Sequence, residues 1–437
     1  MRKFNIDNLN LFKTKHIELF KEKALHWASS FSTCCYLDSN GYADPYGSSY
    51  NCIIAIDSID ELTVTHEDAF EALRTFQEKV KGTIFGYLTY DIKNQLEELE
   101  SNNPDHCHFP LLFFFRPRIE LLITDATVEI ICNDSLIEAS FIFESIENLV
   151  IPATNPLPKT VHIESRMDKQ TYLSKVEKVK EHIHRGDIYE LNLCQEFYAE
   201  DCSIDPVQTW EKLNMISPTP FSSFFKRKDQ YILCASPERY LRKQAAVVIS
   251  QPIKGTIKRS SDATEDANLK EQLYNDPKER SENVMIVDLV RNDLTRCASP
   301  GTVKVDELFG VYSFKQVHQL ISTVSASLNP KFTYLEAIKD TFPMGSMTGA
   351  PKIKAMQLIE RYEESLRGVY SGCIGYITST QDFDFNVVIR SIVYNAAEQY
   401  LSFQVGGAIT TNSDPEKEYE ECLLKAQAIK QVLLNQR

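Results

Sequence analysis

Two stretches of this 437-residue sequence repeat one arrangement of acids. In NDPKERSENVMIVDLVRND, Asp276 can cap a helix and Pro277 fits its first position. Glu279 then falls in the first turn, near the positive end of the helix dipole, and Glu282 follows at i+3 on the same face. In SDPEKEYEECLLKAQAI, Asp414-Pro415 opens a second helix of the same design. Its Glu418, Glu421 and Lys425 lie within about 60° of one another around the axis. Either pair alone reads as a solvated helix face. If the two helices converge, four carboxylates need a hard cation. Mg²⁺ suits one or two direct carboxylates, several waters and an anionic substrate.

Other residues stand out by chemical type against their surroundings. Lys254 in SQPIKGTIKRS sits between an apolar Pro-Ile pair, which reads as extended chain entering a buried layer, and Gly255-Thr256. It could be an ion-paired surface lysine, a phosphate ligand or a nucleophile. Arg390 interrupts the apolar run FNVVIRSIVYN, so it needs either an internal acid or a substrate carboxylate. Glu238 in SPERY and His318 in FKQVHQLIS read, in isolation, as structural residues. MGSMTGAPK lacks the Walker A spacing; it is a Gly-rich turn capped by Ser or Thr, or an anion site at a helix N-terminus. Gly406-Gly407 in FQVGGAITT would let a ligand lie against backbone.

The elements that must position these groups fall into two compositional regimes. Residues 1–150 hold short apolar or alternating runs such as SSYNCIIAID, GTIFGYLTYDI and FPLLFFFRPRIELLIT, read as strands of a mostly antiparallel α+β unit. A helix over residues 67–82 interrupts them and ends at Gly82. Residues 151–163, IPATNPLPKTVHI, read as an extended linker. Residues 164–437 open with a helix closed by Gly186, then alternate strands and helices. The halves are expected to pack as one interleaved unit.

Bulk properties exclude several classes. A net charge of −14 gives no basic face for nucleic acid. No run approaches the length of an apolar membrane span, and the N-terminus is not a signal peptide. Eleven scattered cysteines without CxxC pairs point to a reduced, cytoplasmic protein.

In order along the chain, GDIYELNLCQ, SPERY, PIKGT, ERSENVMIVDLVRNDL, VHQLISTV, FPMGSMTGAPK, VYSGCIGY, VVIRSI and EYEECLLKA resemble the chorismate-utilising enzymes, the anthranilate synthase component I-like family. The resemblance covers nearly everything after the linker; CCYLDSNGYADPYG and GYLTYDI extend it more loosely into the first half. It implies an α+β fold, a two-layer α/β sandwich of large, mostly antiparallel sheets surrounded by helices. By the same resemblance, Glu282 and Glu421 would bind Mg²⁺ directly and Glu279 and Glu418 through water. Arg390 and Tyr370 would grip one substrate carboxylate. Lys425, Thr256, Gly255, Gly406 and Gly407 would complete the anion site, with His318 against the substrate ring and Thr348 among the contacts. Glu238 would be the general acid.

Two positions then separate the branches of the family. Water-adding members carry a lysine base where this chain has Glu190, which disfavours isochorismate or salicylate synthesis. Members that form anthranilate have Ala where this chain has Lys254, whereas members that aminate C4 have Lys. The resemblance therefore implies conversion of chorismate and ammonia to 4-amino-4-deoxychorismate, the 4-aminobenzoate and folate precursor. Lys254 would attack C2 as a neutral amine, its proton affinity lowered by burial beside other cations. No glutaminase domain and no fused lyase is recognisable, so a separate glutamine amidotransferase subunit, in a heterodimer, would supply ammonia. An anthranilate-forming enzyme is the alternative within the family. A catalytically inactive binding subunit is the alternative outside it. Ala408, where relatives often have Gly, would narrow the pocket.

Overall fold

The computed structural model describes residues 10–46, 50–151 and 161–434; most of the proline-rich stretch expected as a linker, residues 152–160, lies outside the described residues. The fold is α+β, and its strands form one hydrogen-bonded succession in which each neighbouring pair is antiparallel. From Lys304–Ser313 the ladder passes through Val317–Ser327 to Val247–Gln251 and Ile253–Lys258. It continues through Arg239–Gln244, Phe383–Asn386 and Cys373–Ile377. There it enters the N-terminal half, through Ile84–Leu88, Leu112–Ile123, Cys52–Val64 and Thr33–Asp38. It returns through Phe221–Arg227, Gln230–Ser236, Ser391–Asn395, Tyr400–Ile409 and Glu190–Ala199.

Period-2 alternation divides the core into layers. In Thr33–Asp38, Cys34 and Tyr36 join a cluster with helices Ile17–Ser29, Lys169–His184 and Pro415–Leu434, while Cys35 points to a second cluster. In Leu112–Ile123, Phe113 and Phe115 join that second cluster, whereas Leu112 and Phe114 face helices Ala69–Val80 and Pro277–Cys297 in a third. The second cluster contains strand and loop residues and no helical ones. It is the filling between sheet faces, built on contacts such as Tyr87 edge-on to Phe225, with ring centroids 5.3 Å apart. Helices cover the outer faces.

Local signals explain most element ends. Asp276 accepts the Lys278 and Glu279 amides and Pro277 is the first helical residue, as its sequence predicts. Gly186 takes φ +81° just past the helix that ends at His184, the left-handed position glycine favours. Two expectations are corrected. The helix predicted to close at Gly82 ends at Val80, with Lys81 in the left-handed conformation (φ 47°) and its amide bonded to the Gln77 carbonyl. The helix after MGSMTGAPK starts at Lys352 behind Pro351, with no Ser or Thr cap, because the hydroxyl of Thr348 turns back to the carbonyls of Met344 and Gly345.

One of the two strand junctions between the halves carries a glycine pair. Gly86 and Gly375 face each other across adjacent strands, and Phe114 and Phe385 lie over them, ring planes at 85°. A Cβ on Gly86 would sit 2.1 Å from the Phe113 carbonyl oxygen and 2.6 Å from the Phe114 ring. Gly86→Val should therefore displace the ring and destabilise the protein by about 1–3 kcal/mol, the usual cost of overpacking. Urea unfolding checks this: the midpoint should fall well below that of wild type.

Candidate active site

Prolines break two of the long apolar runs, and the groups with chemistry sit at the breaks. The run YILCASPERYLRK splits into Gln230–Ser236 and Arg239–Gln244, leaving Glu238 between strands. Its backbone is fixed by a hydrogen bond from the Val387 amide to its carbonyl, 3.0 Å. The run AAVVISQPIKGT splits at Pro252 into Val247–Gln251 and Ile253–Lys258. Beyond that break, Ile253 pairs with Ile321 but Thr256 pairs with Gln319, so one extra residue bulges out at Lys254-Gly255. Gly255 has φ +90°, which a side chain would strain.

Lys254 is half-buried and makes no hydrogen bond or close ion pair with a described residue. Its charge is felt by Glu238, Glu190 and Glu421. These neighbours are carboxylates, and Lys425 and Lys278 act on the same Glu421. Glu238 is buried, and burial lifts its proton affinity to about 7 against the opposing pull of Lys254 and the Ile253 amide. Near neutral pH it is poised between carboxylate and carboxyl, and its carboxyl form can donate a proton.

The two acid-bearing helices do converge. Burial and the charge of Glu282 raise Glu279 to about 7, with Glu421 contributing in the same sense. Burial likewise raises Glu418, with Glu421 and Glu282 adding to the effect. Gly255 and Gly407 allow the approach, since a Cβ on Gly255 would lie 3.1 Å from Glu279 Oε2 and one on Gly407 3.1 Å from Glu418 Oε2. Glu421 is held down instead, chiefly by Lys425, whose ammonium is 2.7 Å away. Lys425 also donates to the Gly406 carbonyl at 2.7 Å. Lys278 approaches Glu282 at 3.7 Å, too far for a hydrogen bond.

Among the described residues, no three acidic, histidine or cysteine side chains close into a ready metal cage. The donor set still fits a hydrated, hard cation held by one or two carboxylates. Glu282 Oε1 is buried without a hydrogen-bond partner, and its neighbours carry mutual repulsion that a cation would relieve.

Arg390 resolves one sequence-level alternative. Its side chain has no acidic partner among the described residues, and burial alone lowers its proton affinity. An uncompensated guanidinium in this position suits an incoming anion. Its charge also reaches Lys425. Tyr370 is buried: its hydroxyl contacts Cys194 Sγ at 3.6 Å, and Cys194 lies against Gly406. Thr256 is exposed and accepts a 3.3 Å bond from Gln319.

Two residues expected to contact a ligand also hold internal hydrogen bonds. His318 is buried with Nδ1 on Ser313 Oγ (2.8 Å) and Nε2 on Asp266 (3.0 Å), so only its ring face is free to meet a substrate. Thr348 is fully buried and its hydroxyl serves its own turn.

Glu190 was read only as the absence of a lysine base, yet it belongs among these groups. It is 2% exposed, Oε2 has no hydrogen-bond partner, and burial together with Glu282 raises its proton affinity while Lys254 lowers it. A signal existed in IYELNLCQ: Leu191 and Leu193 join the main core, so Glu190, Asn192 and Cys194 must face the other way.

Comparison with known proteins gives a consistent set. The sequence matches the family described as chorismate binding enzyme over residues 32–431. The aminodeoxychorismate synthase of Streptomyces griseus is 42% identical over 279 residues, 64% of this chain and 38% of that protein. The aminodeoxychorismate synthase component 1 of Salmonella typhimurium is 36% identical over 314 residues, covering 72% of this chain and 68% of that one. The chain thus spans well under half of the Streptomyces relative and about two thirds of the Salmonella one. The anthranilate synthase component I from Streptococcus pneumoniae superposes with a TM-score of 0.76 at 26% identity, over 89% of this chain and 94% of that structure.

The raised Glu279 has a consequence for stability. Its folded proton affinity, about 7, exceeds the ordinary carboxylate value near 4.3. Above pH ~7 the folded state therefore carries a charge it disfavours, and below pH ~4 both states are protonated and the penalty disappears. Glu279→Gln should raise the melting temperature of Mg²⁺-free protein at pH 8, with the gain shrinking towards pH 5. Thermal denaturation across that range tests the sign.

Proposed function

Because the chain belongs to the chorismate-binding enzyme family, we propose that it converts chorismate and ammonia into 4-amino-4-deoxychorismate, with Lys254 as the nucleophile. The observation that carries the reading is a bulged, unpaired Lys254 beside a buried Glu238 carboxyl. Similarity to the Streptomyces and Salmonella aminodeoxychorismate synthases supports the choice of the C4-amino branch. Lys254 attacks C2 of the ring through its nitrogen lone pair, the double bonds shift, and the C4–O bond breaks. Glu238 gives its proton to the departing hydroxyl, which leaves as water. Ammonia then attacks C4, the bonds shift back, and the C2–N bond breaks to release the lysine as an amine. The new C4 ammonium returns a proton to Glu238. Splitting one displacement into two directs nitrogen to C4.

Arg390, without an internal acid, takes one carboxylate of chorismate together with Tyr370. Lys425, Thr256 and the backbone of Gly255, Gly406 and Gly407 line the anion site, and the face of His318 borders the ring. Glu282 and Glu421 would hold Mg²⁺ directly and Glu279 and Glu418 through water; when bound, the ion neutralises the second carboxylate. A glutamine amidotransferase subunit is the proposed source of ammonia, supported by the designation of the Salmonella relative as a component 1. A reduced, cytoplasmic setting belongs to the same reading, supported by eleven unbridged cysteines. No described helix is long and apolar enough to cross a membrane.

Purified protein supplied with chorismate, Mg²⁺ and ammonium should yield 4-amino-4-deoxychorismate by mass spectrometry. Direct anthranilate fluorescence would overturn the assignment. Lys254→Ala should lose both this product and any protein adduct formed without ammonia; unchanged turnover would rule out the covalent step.

Glu238 must be protonated to act, so kcat/KM should fall as pH rises through about 7. Glu238→Gln should lower the rate by about 10²–10⁴-fold and remove that limb.

A further inference from the structure

We propose that Glu190 is the base that takes a proton from Lys254 before the lysine attacks; the inference rests on the covalent reading given above. A lysine ammonium has no lone pair, so a proton must leave Nζ before a C2–N bond can form. Glu238 cannot serve both ends, because it is the group that must hold a proton for the departing hydroxyl. A second, deprotonated acceptor is needed on the Lys254 side.

Glu190 has the placement for that task. It lies at the start of the strand Glu190–Ala199, where it pairs with Ala350. Its backbone is clamped: the Tyr189 amide donates to the Ala350 carbonyl at 2.7 Å. Gly349 presses against it so closely that a Cβ there would lie 2.3 Å from the Glu190 carbonyl oxygen. The side chain is 2% exposed and Oε2 has no hydrogen-bond partner among the described residues. A buried carboxylate oxygen without a donor is costly, and such groups are rare unless they have work to do. The charged groups that influence it are Lys254, on the bulged strand, and Glu282, on the helix Pro277–Cys297. Lys254 is the donor, and burial raises the proton affinity of Glu190, with a smaller contribution from the charge of Glu282.

The proton balance closes. Lys254 ammonium and Glu190 carboxylate become a neutral amine and a neutral acid. The amine forms the C2–N bond as the C4–O bond breaks, and Glu238 supplies the proton of the departing water. When ammonia displaces the lysine, Nζ leaves with its electron pair, and the Glu190 proton can return to it. Glu190 thus primes the nucleophile, while Glu238 handles the leaving group.

The test is rapid-quench mass spectrometry of the Lys254 adduct, on full-length protein with saturating Mg²⁺ and chorismate and without ammonia, from pH 6 to 9. Wild type should form the adduct. Glu190→Gln keeps the shape and the hydrogen-bond acceptor but cannot take the proton. It should slow adduct formation by about 10²-fold or more near neutrality and shift the pH dependence to the alkaline side, while chorismate binding by calorimetry changes less than twofold. Glu190→Asp should recover part of the rate and gives a second measurement should the Gln variant misfold. A Gln variant with the wild-type rate and pH profile overturns the role of Glu190 alone. Absence of an adduct in wild type overturns the covalent reading, and this proposal with it.

Discussion

Electrostatic repulsion among buried carboxylates is the constraint around which this molecule is arranged. Two unit charges about 4 Å apart cost about 4 kcal/mol at an effective dielectric constant of about 20, whereas a charge at a helix N-terminus gains about 0.3–1 kcal/mol. Helix caps alone cannot hold Glu279, Glu282, Glu418 and Glu421 together. The protein meets the cost in three ways: proton uptake by Glu279, ion pairing of Glu421 with Lys425, and the approach of Lys278 to Glu282. What holds the helices in place is packing far from the charges. Ile286, Val287, Val290 and Leu294 anchor one helix, and Cys422, Ala426, Ile429 and Val432 the other.

The same economy explains the two strand breaks. A lysine and a glutamate inside continuous strands would point along the sheet normal at fixed intervals. Pro237 leaves Glu238 between strands, and Pro252 with Gly255 lets the chain bulge at Lys254. The breaks free both groups from the strict alternation of a strand: Glu238 stays buried while Lys254 is half-buried. Each group keeps enough burial to tune its chemistry and enough freedom to reach a substrate.

Much of this was legible in residue order. Asp-Pro helix starts, the Gly186 terminus and the i, i+3 glutamates depend on interactions within one turn of chain, so spacing predicts them. Strands and the α+β class follow from alternation. The cap at Lys81 was missed because its left-handed conformation is imposed by the following chain rather than by residue preference. The hydrogen-bond partners of Thr348 and His318, the carbonyls of Met344 and Gly345 for one and Ser313 and Asp266 for the other, were not legible because they depend on turn geometry and strand register.

The sequence by itself determined which chemical groups are present, which helices carry them and the family to which they belong, since those are properties of order and short-range spacing. Only the tertiary structure decided their relations. It set carboxylates near Lys254, left Arg390 without an acidic partner among the described residues, and buried Glu190 with an oxygen that no described residue hydrogen-bonds. Those outcomes depend on contacts between residues far apart in the chain, on the burial that removes water from them, and on the mutual charge that burial amplifies.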